Sequence, residues 1–152
     1  QIASFKGASN RLELVKSKEK SAIYKDFAHS PSKLKATLSA MQKQFANRKL
    51  VACMELHTFS SLNKEFLNQY KGTMNEADTA IVYYKPENIA HKKLEPVTKK
   101  QVHKAFNRKD LLVFTNSKIL EKYLKSQKWE NKNLLMMSSG NFNNLILENL
   151  IQ

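Results

Sequence analysis

Apolar and polar residues alternate along this chain in a pattern that predicts strands and helices in turn. The runs "RLELVKSK" and "SAIYKDF", joined by the charged turn "SKEK", predict two short strands that form a hairpin or an edge strand leading to a central one. In "SPSKLKATLSAMQKQF", apolar residues recur at spacings of four, three and four, at Leu34, Leu38, Met41 and Phe45. This spacing places them on one face of a helix.

The same alternation continues to the end of the chain. "KLVACME" is a continuous apolar run, typical of a strand buried on both faces of a parallel sheet. Further helices are predicted in "SLNKEFLNQYKGT", "TKKQVHKAF", "SKILEKYLKSQ" and "NFNNLILENLI", strands in "TAIVYY", "DLLVFT" and "NLLMMSS", and a long polar loop in "KPENIAHKKLEPVTKK". We therefore predict an α/β fold: a three-layer, Rossmann-like domain whose mostly parallel sheet of about six strands has an antiparallel edge strand.

Length and composition agree with one ordered domain. The chain has 152 residues, 41% of them apolar, with three glycines and three prolines, which is globular usage. Its one cysteine, Cys53, lies in an apolar run, which predicts a buried side chain and a reducing, cytoplasmic location. No apolar run reaches the ~18 residues of a membrane span, so no membrane partner is predicted. The opening "QIASFKGASNRLE" looks like the middle of a polypeptide, and we expect residues 1–152 to be excised from a longer enzyme.

The strongly basic charge invites a nucleic-acid function. The chain has 26 Lys plus Arg against 13 Asp plus Glu, a net charge of +13. The basic residues are dispersed among acids without interleaved glycines or paired aromatics, which favours a solvated lysine-rich surface or a field that attracts anionic substrates. We predict no specific nucleic-acid partner. A noncatalytic basic α/β module that binds nucleic acid or an anionic metabolite stays as the alternative function.

Polar clusters follow four of the predicted strands, where ligands bind in open α/β sheets. They are "DFAHSP", "ELHTFSS", "TNS" and "SSGNF". In the first cluster Asp26 is a hydrogen-bond acceptor, and His29 precedes the predicted helix, with Ser30 as its N-cap and Pro31 at its first position. Turn chemistry and capping would explain Asp26 and His29 as well as a binding site would.

The other three clusters leave similar alternatives open. Glu55, His57 and Thr58 could be a fragment of a metal site, but it offers only two potential ligands, two residues apart, without a second pair nearby, so no metal site is predicted. "TNS" is most simply a helix N-cap at Asn116 or Ser117. "SSGNF" presents hydroxyls and amides at a predicted helix N-terminus, which suits a carboxylate or phosphate, or it is a structural turn.

Several complete catalytic motifs are missing from the chain. The sequence contains no P-loop, no dinucleotide-binding glycine motif, no G-x-S-x-G and no paired-cysteine motif. The chain therefore lacks a complete apparatus for phosphoryl, hydride or acyl transfer. We expect it to supply part of a site.

Taken in order, "NRLE", "DFAHSP", "MELHTFSS" and "LLMMSSGNF" resemble the C-terminal, glutamate-ligase domain of the Mur ligase family. The resemblance covers the chain from Phe5 to about Leu150, and the pair R-x-E and D-[FY]-[AG]-H-x-P is its most specific part. Within the family the motifs look most like the branch that joins a murein tripeptide to UDP-N-acetylmuramate in peptidoglycan recycling. The L-alanine-adding branch is a near relative.

The resemblance implies an ADP-forming amide synthesis by a three-domain enzyme. An N-terminal domain holds UDP-N-acetylmuramate, a central domain binds ATP and Mg²⁺, and the C-terminal domain closes over both with an incoming amino acid or murein peptide. An acyl phosphate forms on the sugar-linked carboxylate, and the incoming amine attacks it while closure excludes water. The implied cofactors, ATP and Mg²⁺, are bound mainly by the central domain, which is absent from these 152 residues.

The resemblance also assigns roles to residues. Arg11 matches an arginine that approaches the nucleotide phosphates, Asp26 an aspartate near the nucleotide ribose, and His29 a histidine near the incoming substrate. These three are the expected catalytic residues, and Arg11 and Asp26 are also expected to contact the cofactor. The expected substrate-binding residues are Ser30, His57, Thr58, Ser138 and Asn141, with Ser138 matching a serine that holds the substrate carboxylate. Glu13 is interpreted as a structural partner of a nearby basic group.

Three departures from the family pattern concern the choice of substrate. Ser30 stands where the recycling branch usually has a second histidine, and "ELHTFSS" replaces an arginine-containing E-P-R-S-N-T loop. Asn143 and Asn144 stand where glycines commonly follow the last motif. These differences leave the accepted peptide open, and none of them breaks the periodic pattern that predicts the fold.

Overall fold

The computed structural model describes residues 12–58 and 60–151, and its strands form one mixed sheet. The strands are β1 (Glu13–Ser17), β2 (Ser21–Asp26), β3 (Lys49–Leu56), β4 (Thr79–Tyr84), β5 (Leu112–Phe114) and β6 (Lys132–Met137). Their order across the sheet is β1-β2-β6-β3-β4-β5. β1 is antiparallel to β2 and all other pairs are parallel, so the predicted six-stranded sheet with an antiparallel edge is confirmed. Arg11, predicted to be catalytic, lies outside the described residues.

The register of the parallel strands brings their carboxyl ends to one edge of the sheet. Met137 at the end of β6 pairs with Asp26 on one side and with Met54 on the other. Leu56 at the end of β3 pairs with Tyr84 at the end of β4. The segments that follow these strands, 27–30, 138–142, 57–58 and 85–86, therefore share one side of the sheet, which we call the carboxyl edge.

Helices cover both faces of the sheet. They are α1 (Pro31–Gln44), α2 (Pro86–His91), α3 (Lys99–Phe106) and α4 (Ser117–Lys125). The buried faces of α1 and α3 join one core, which includes Leu34, Leu38 and Met41 as predicted. The buried face of α4 joins a second core on the opposite side, together with Trp129 and the C-terminal Leu150. The predicted three layers are thus confirmed.

The structure overturns two predicted helices. The segment "SLNKEFLNQYKGT" forms turns and a short 3₁₀ helix, Leu67–Tyr70. Here the Asn63 side chain accepts the amide of Glu65 at 2.9 Å, a local bond that competes with helix formation. The segment "NFNNLILENLI" forms a turn and a 3₁₀ helix, Leu147–Asn149, because its first residues have a left-handed backbone.

The predicted long polar loop also contains an element that the pattern missed, since α2 begins at Pro86 inside it. Proline suits the first turn of a helix because its missing N–H would have no partner there. Among the described residues, no helix is long and apolar enough to span a membrane.

The N-terminal hairpin fixes the C-terminal segment of the chain. Lys16 Nζ donates to the carbonyls of Glu148 at 3.0 Å and Ile151 at 3.4 Å. The predicted basic partner of Glu13 is Lys25, at 3.9 Å, and both side chains are well exposed. Such an exposed pair contributes little to stability. The C-terminal segment is also held by burial of Leu150 and Ile151 in the second core.

Candidate functional site

Asp26, the last residue of β2, is buried at the carboxyl edge with 6% of its surface exposed. Its Oδ2 accepts a hydrogen bond from Thr37 Oγ1 of α1 at 2.9 Å. Its carbonyl accepts the amide of Ser138 at 3.1 Å. Asp26 is thus fixed between α1 and the segment that follows β6, where the predicted substrate-binding Ser138 lies.

His29 and Ser30 lie beside Asp26 at the start of α1. The carbonyl of His29 accepts the hydroxyl of the buried Tyr70, and its Nδ1 is 3.1 Å from the carbonyl of Phe27. Ser30 occupies the N-cap position and Pro31 the first helical position, as predicted, but the Ser30 side chain makes no capping hydrogen bond. The predicted cap residue is correct in position, and its hydroxyl does not act as the cap.

Glu55 is a site residue that the sequence pattern does not identify, since in sequence it is only one member of a possible metal fragment. It lies near the end of β3 with 3% of its surface exposed. Its Oε1 accepts two hydrogen bonds, from Ser138 Oγ at 2.6 Å and from the Phe142 amide at 2.9 Å. A buried acid in an otherwise apolar strand is the signal that could have identified it, since such a group needs partners.

The single hydrogen of the Ser138 hydroxyl is already donated in this arrangement. The hydroxyl donates it to Glu55 and accepts the amide of Gly140 at 2.7 Å. To hold a substrate carboxylate, the hydroxyl hydrogen must first leave Glu55. The predicted substrate contact of Ser138 stays a prediction, while its role in shaping the segment after β6 is directly visible.

The imidazole of His57 packs between Glu55 and Gly140. Nδ1 of His57 is 3.8 Å from Glu55 Oε2, and it is buried without a hydrogen-bond partner within residues 12–58 and 60–151. A Cβ added to Gly140 would lie 2.9 Å from Cγ and Cδ2 of the ring, so any larger residue here would require the ring or the segment 138–142 to shift. The side chain of His57 is nevertheless 40% exposed.

Thr58 and the possible metal fragment take simpler roles. Thr58 Oγ1 accepts the Ser61 amide at 3.1 Å and donates to Ser61 Oγ at 3.0 Å, which closes a local turn. Within the described part of the chain, no three His, Cys, Asp or Glu side chains are grouped so that they could hold a metal ion. Cys53 is fully buried, as predicted, and burial, reinforced by the charge of Glu55, raises the pKa of its thiol.

The departures Asn143 and Asn144 keep a backbone that suits glycine. Phe142, Asn143 and Asn144 have φ values of 53°, 58° and 64°, in the left-handed region that asparagine tolerates best among residues with a side chain. The carbonyl oxygen of the Asn141 side chain accepts the amide of Asn144 at 3.2 Å. This bond stabilises the turn, so Asn141 has a structural role here, and its predicted substrate contact stays a prediction.

Asn143 links this turn to two neighbouring strand ends. Its Oδ1 accepts from Lys85 Nζ at 3.1 Å and its Nδ2 donates to Ser117 Oγ at 3.2 Å. The ring of the buried Phe142 stacks on Tyr83 with centroids 6.1 Å apart.

At Asn116, the side chain caps α4 by accepting the amides of Lys118 and Ile119, which confirms the capping interpretation of "TNS".

A cavity of about 520 Å³ lies between the hairpin and the C-terminal segment and reaches the carboxyl edge. Three predicted site residues, Asp26, Ser138 and Asn141, line it together. Met136 and Leu145 contribute apolar surface to it. Among the described residues, the lining does not include the predicted His29, Ser30, His57 or Thr58, so the predicted residues divide between this cavity and the adjoining part of the carboxyl edge.

Comparison with known proteins identifies the family. The profile described as "Mur ligase, glutamate ligase domain" matches residues 10–140. The chain belongs to the Mur ligase family. The UDP-N-acetylmuramate--L-alanine ligase of Caldicellulosiruptor bescii is 40% identical over 81 residues, which are 53% of this chain and 17% of that protein. The chain therefore spans only a small part of the curated Mur ligases that it matches.

Solved Mur ligase structures share the fold. The murein peptide ligase of Psychrobacter arcticus matches with a TM-score of 0.71 at 20% identity, over 91% of this chain and 28% of that one. The MurF ligase of Thermotoga maritima, solved in complex with ADP, matches with a TM-score of 0.56 at 16% identity, over 89% of this chain and 29% of that one. The predicted family and Rossmann-like fold class are confirmed.

Proposed function

We propose that this chain is the C-terminal, amino-acid- or peptide-binding domain of an ATP-dependent, ADP-forming Mur ligase. The enzyme joins an amino acid or a murein peptide to UDP-N-acetylmuramate in peptidoglycan synthesis or recycling, and it works in the cytoplasm, where ATP is available. Its N-terminal and central domains belong to the same polypeptide. ATP and Mg²⁺ are its cofactors, and the central domain provides most of their binding site.

The observation that carries this proposal is the position of Asp26 within a member of this family. Asp26 is fixed by Thr37 on one side and by the Ser138 backbone on the other. Together with Ser138 and Asn141 it lines a cavity large enough for part of a peptide. A residue fixed in this way beside a cavity at the carboxyl ends of parallel strands suits a surface that closes over a ligand held by other domains.

Each predicted residue has a role in this proposal. Arg11 approaches the ATP phosphates on closure, where its permanent positive charge stabilises the charge that develops during transfer. Asp26 binds the nucleotide ribose, and His29 lies beside the incoming substrate. Ser30, His57, Thr58, Ser138 and Asn141 form the wall that the incoming amino acid or peptide contacts.

The alternative of a basic, noncatalytic binding module has no comparable support. The lysines remain dispersed over the fold, and the exposed ion pairs Lys20–Glu130 and Lys25–Glu13 place acids among them. The family match also concerns ligases. We therefore do not propose a nucleic-acid function.

Substitution in the complete enzyme tests the proposal. Arg11→Ala should lower kcat by about 100-fold, the usual loss when one preorganised donor is removed, and Asp26→Ala should also lower turnover. Binding of UDP-N-acetylmuramate should change little, because another domain holds it. Lys20→Ala is the matched control, since this exposed cation lies at the opposite end of β2.

Steady-state kinetics and a melting curve for each variant give the readout. If Arg11→Ala and Asp26→Ala both kept nearly full turnover while folded, the assignment of this surface to the active site would be wrong.

A further inference from the structure

The two oxygens of Glu55 face different partners. Oε1 accepts both the Ser138 hydroxyl and the Phe142 amide, at 2.6 and 2.9 Å. Oε2 lies 3.8 Å from Nδ1 of His57, and it accepts no hydrogen bond from the other described residues. Because two donors bind Oε1, the carboxylate cannot rotate freely, and Oε2 stays directed at the imidazole.

The imidazole of His57 is confined from the other side. Gly140 packs so closely that a Cβ there would be 2.9 Å from Cγ and Cδ2 and 3.0 Å from Nδ1. Nδ1 is buried and has no hydrogen-bond partner within the described part of the chain. Since Gly140 covers these atoms while 40% of the side chain is exposed, the exposed part of the ring is the side with Nε2.

These contacts favour one tautomer of the neutral ring. A buried Nδ1 that lies near a carboxylate oxygen and has no other hydrogen-bond partner among the described residues favours the form with hydrogen on Nδ1, because a lone pair facing that oxygen would be repelled. The 3.8 Å separation is longer than a hydrogen bond, and a ring shift of about 1 Å closes it. Contacts of this kind commonly shorten when a ligand binds. Nε2 then exposes a lone pair, which accepts an N–H group and repels a carboxylate.

We propose that Glu55 is a positioning residue that holds His57 in the Nδ1–H tautomer and joins it to the segment 138–142. His57 Nε2 thereby accepts a hydrogen bond from the amino group of the incoming amino acid or peptide. The positioning of His57 is independent of the ligase reaction, whereas the identity of the bound group rests on the proposed function. The substrate group beside His57 is accordingly the attacking amine, and other groups hold the substrate carboxylate.

Nitrogen NMR of the 152-residue chain tests the positioning directly. Long-range ¹H–¹⁵N correlation of the imidazoles distinguishes a protonated ring nitrogen from one with a lone pair. The measurement starts at about pH 8.5, and the ring ¹⁵N shifts themselves show when the imidazoles are neutral. His57 should show hydrogen on Nδ1 in the unmodified chain. Hydrogen on Nε2 there would overturn the proposal without any variant.

The variant Glu55→Gln should reverse this signature. Its amide oxygen must accept from Ser138 and Phe142, so its NH₂ group faces Nδ1 and moves the ring hydrogen to Nε2. The other three histidines, His29, His91 and His103, serve as internal controls and should not change. Ser138→Ala is the matched variant: it removes one bond to Oε1 but keeps the bond from the Phe142 amide and the negative charge of the carboxylate, so the His57 tautomer should stay unchanged. An unchanged His57 signature in folded Glu55→Gln would contradict the proposal.

Kinetics of the complete enzyme test the substrate group. With a donor at Nε2, Glu55→Gln should lower kcat/KM for the incoming amino acid or peptide by about 10-fold or more, with the KM for ATP unchanged. An active enzyme whose Glu55→Gln variant shows the reversed tautomer but full kcat/KM would refute the amine contact. An unmodified enzyme without ligase activity would instead refute the proposed function and leave the NMR result intact.

Discussion

Gly140→Ala should destabilise the domain through one identifiable contact, the His57 ring. The new Cβ would lie 2.9 Å from two ring carbons, about 0.5 Å closer than ordinary van der Waals contact. Overpacking of this kind costs about 1–3 kcal/mol. The φ of Gly140 is outside the left-handed region, so alanine adds no backbone strain, and it restricts the unfolded chain by about 0.4–1 kcal/mol in favour of folding. The net loss is about 1 kcal/mol.

The sign of this effect should depend on His57. In a His57→Ala background the ring is gone, and Gly140→Ala should then stabilise the domain by about 0.4–1 kcal/mol. The assay is urea unfolding of the four proteins of this double-mutant cycle, with Tm as a second measure. For a chain of this size 1 kcal/mol corresponds to about 2–4 °C. Gly72→Ala is a useful contrast, because Gly72 has φ +75°. The loss of stability caused by Gly72→Ala should therefore be the same with and without the His57 ring.

An equal cost of Gly140→Ala with and without the ring would refute this reasoning. It would mean that the close approach of Gly140 to His57 does not exist in solution. The Nδ1–H tautomer proposed for His57 depends on the same packing, so the double-mutant cycle also tests the geometry on which that tautomer rests.

Three further predictions concern stability and activity. Burial raises the pKa of Tyr70 above its unfolded value near 10. The stabilising contribution of the neutral Tyr70 is therefore present below about pH 10 and is lost as the pH rises further. Urea unfolding at several alkaline pH values should show this loss of stability, and Tyr70→Phe should make the dependence on pH shallower. Asn143 has φ 58°, so Asn143→Ala should be less stable than Asn143→Gly by about 1 kcal/mol, and equal Tm values would contradict the left-handed turn. The 152-residue chain alone should release no ADP from ATP with UDP-N-acetylmuramate and an amino acid or peptide, because it contains no P-loop; detectable ADP in that assay would disprove the division of labour between domains.

The elements with a strong local pattern could be predicted from the sequence. The spacing of Leu34, Leu38 and Met41 predicted α1, and all three are buried against the sheet. The Ser-Pro pair placed the start of α1 correctly. Such signals are local, since a helix face and a cap depend on residues a few positions apart.

The helix wrongly predicted in the last segment of the chain has a physical explanation. The spacing in "NFNNLILENLI" is helical, yet Phe142, Asn143 and Asn144 adopt positive φ. Their conformation is stabilised by contacts that the local sequence does not contain, such as the bond from Lys85 to Asn143. Tertiary contacts of this kind can exceed the small differences in intrinsic helix propensity.

By itself, the sequence determined the family, the alternating α/β architecture and the placement of polar clusters after the strands. Only the tertiary structure decided which clusters meet, because β6 inserts between β2 and β3. That order brings Ser138 to Glu55 across 83 residues and next to Asp26. The spacing of apolar residues indicates which face of a helix or strand is buried, but the order of the strands depends on the packing of the whole sheet. The partners of Glu55 and His57 are therefore visible only in the folded chain.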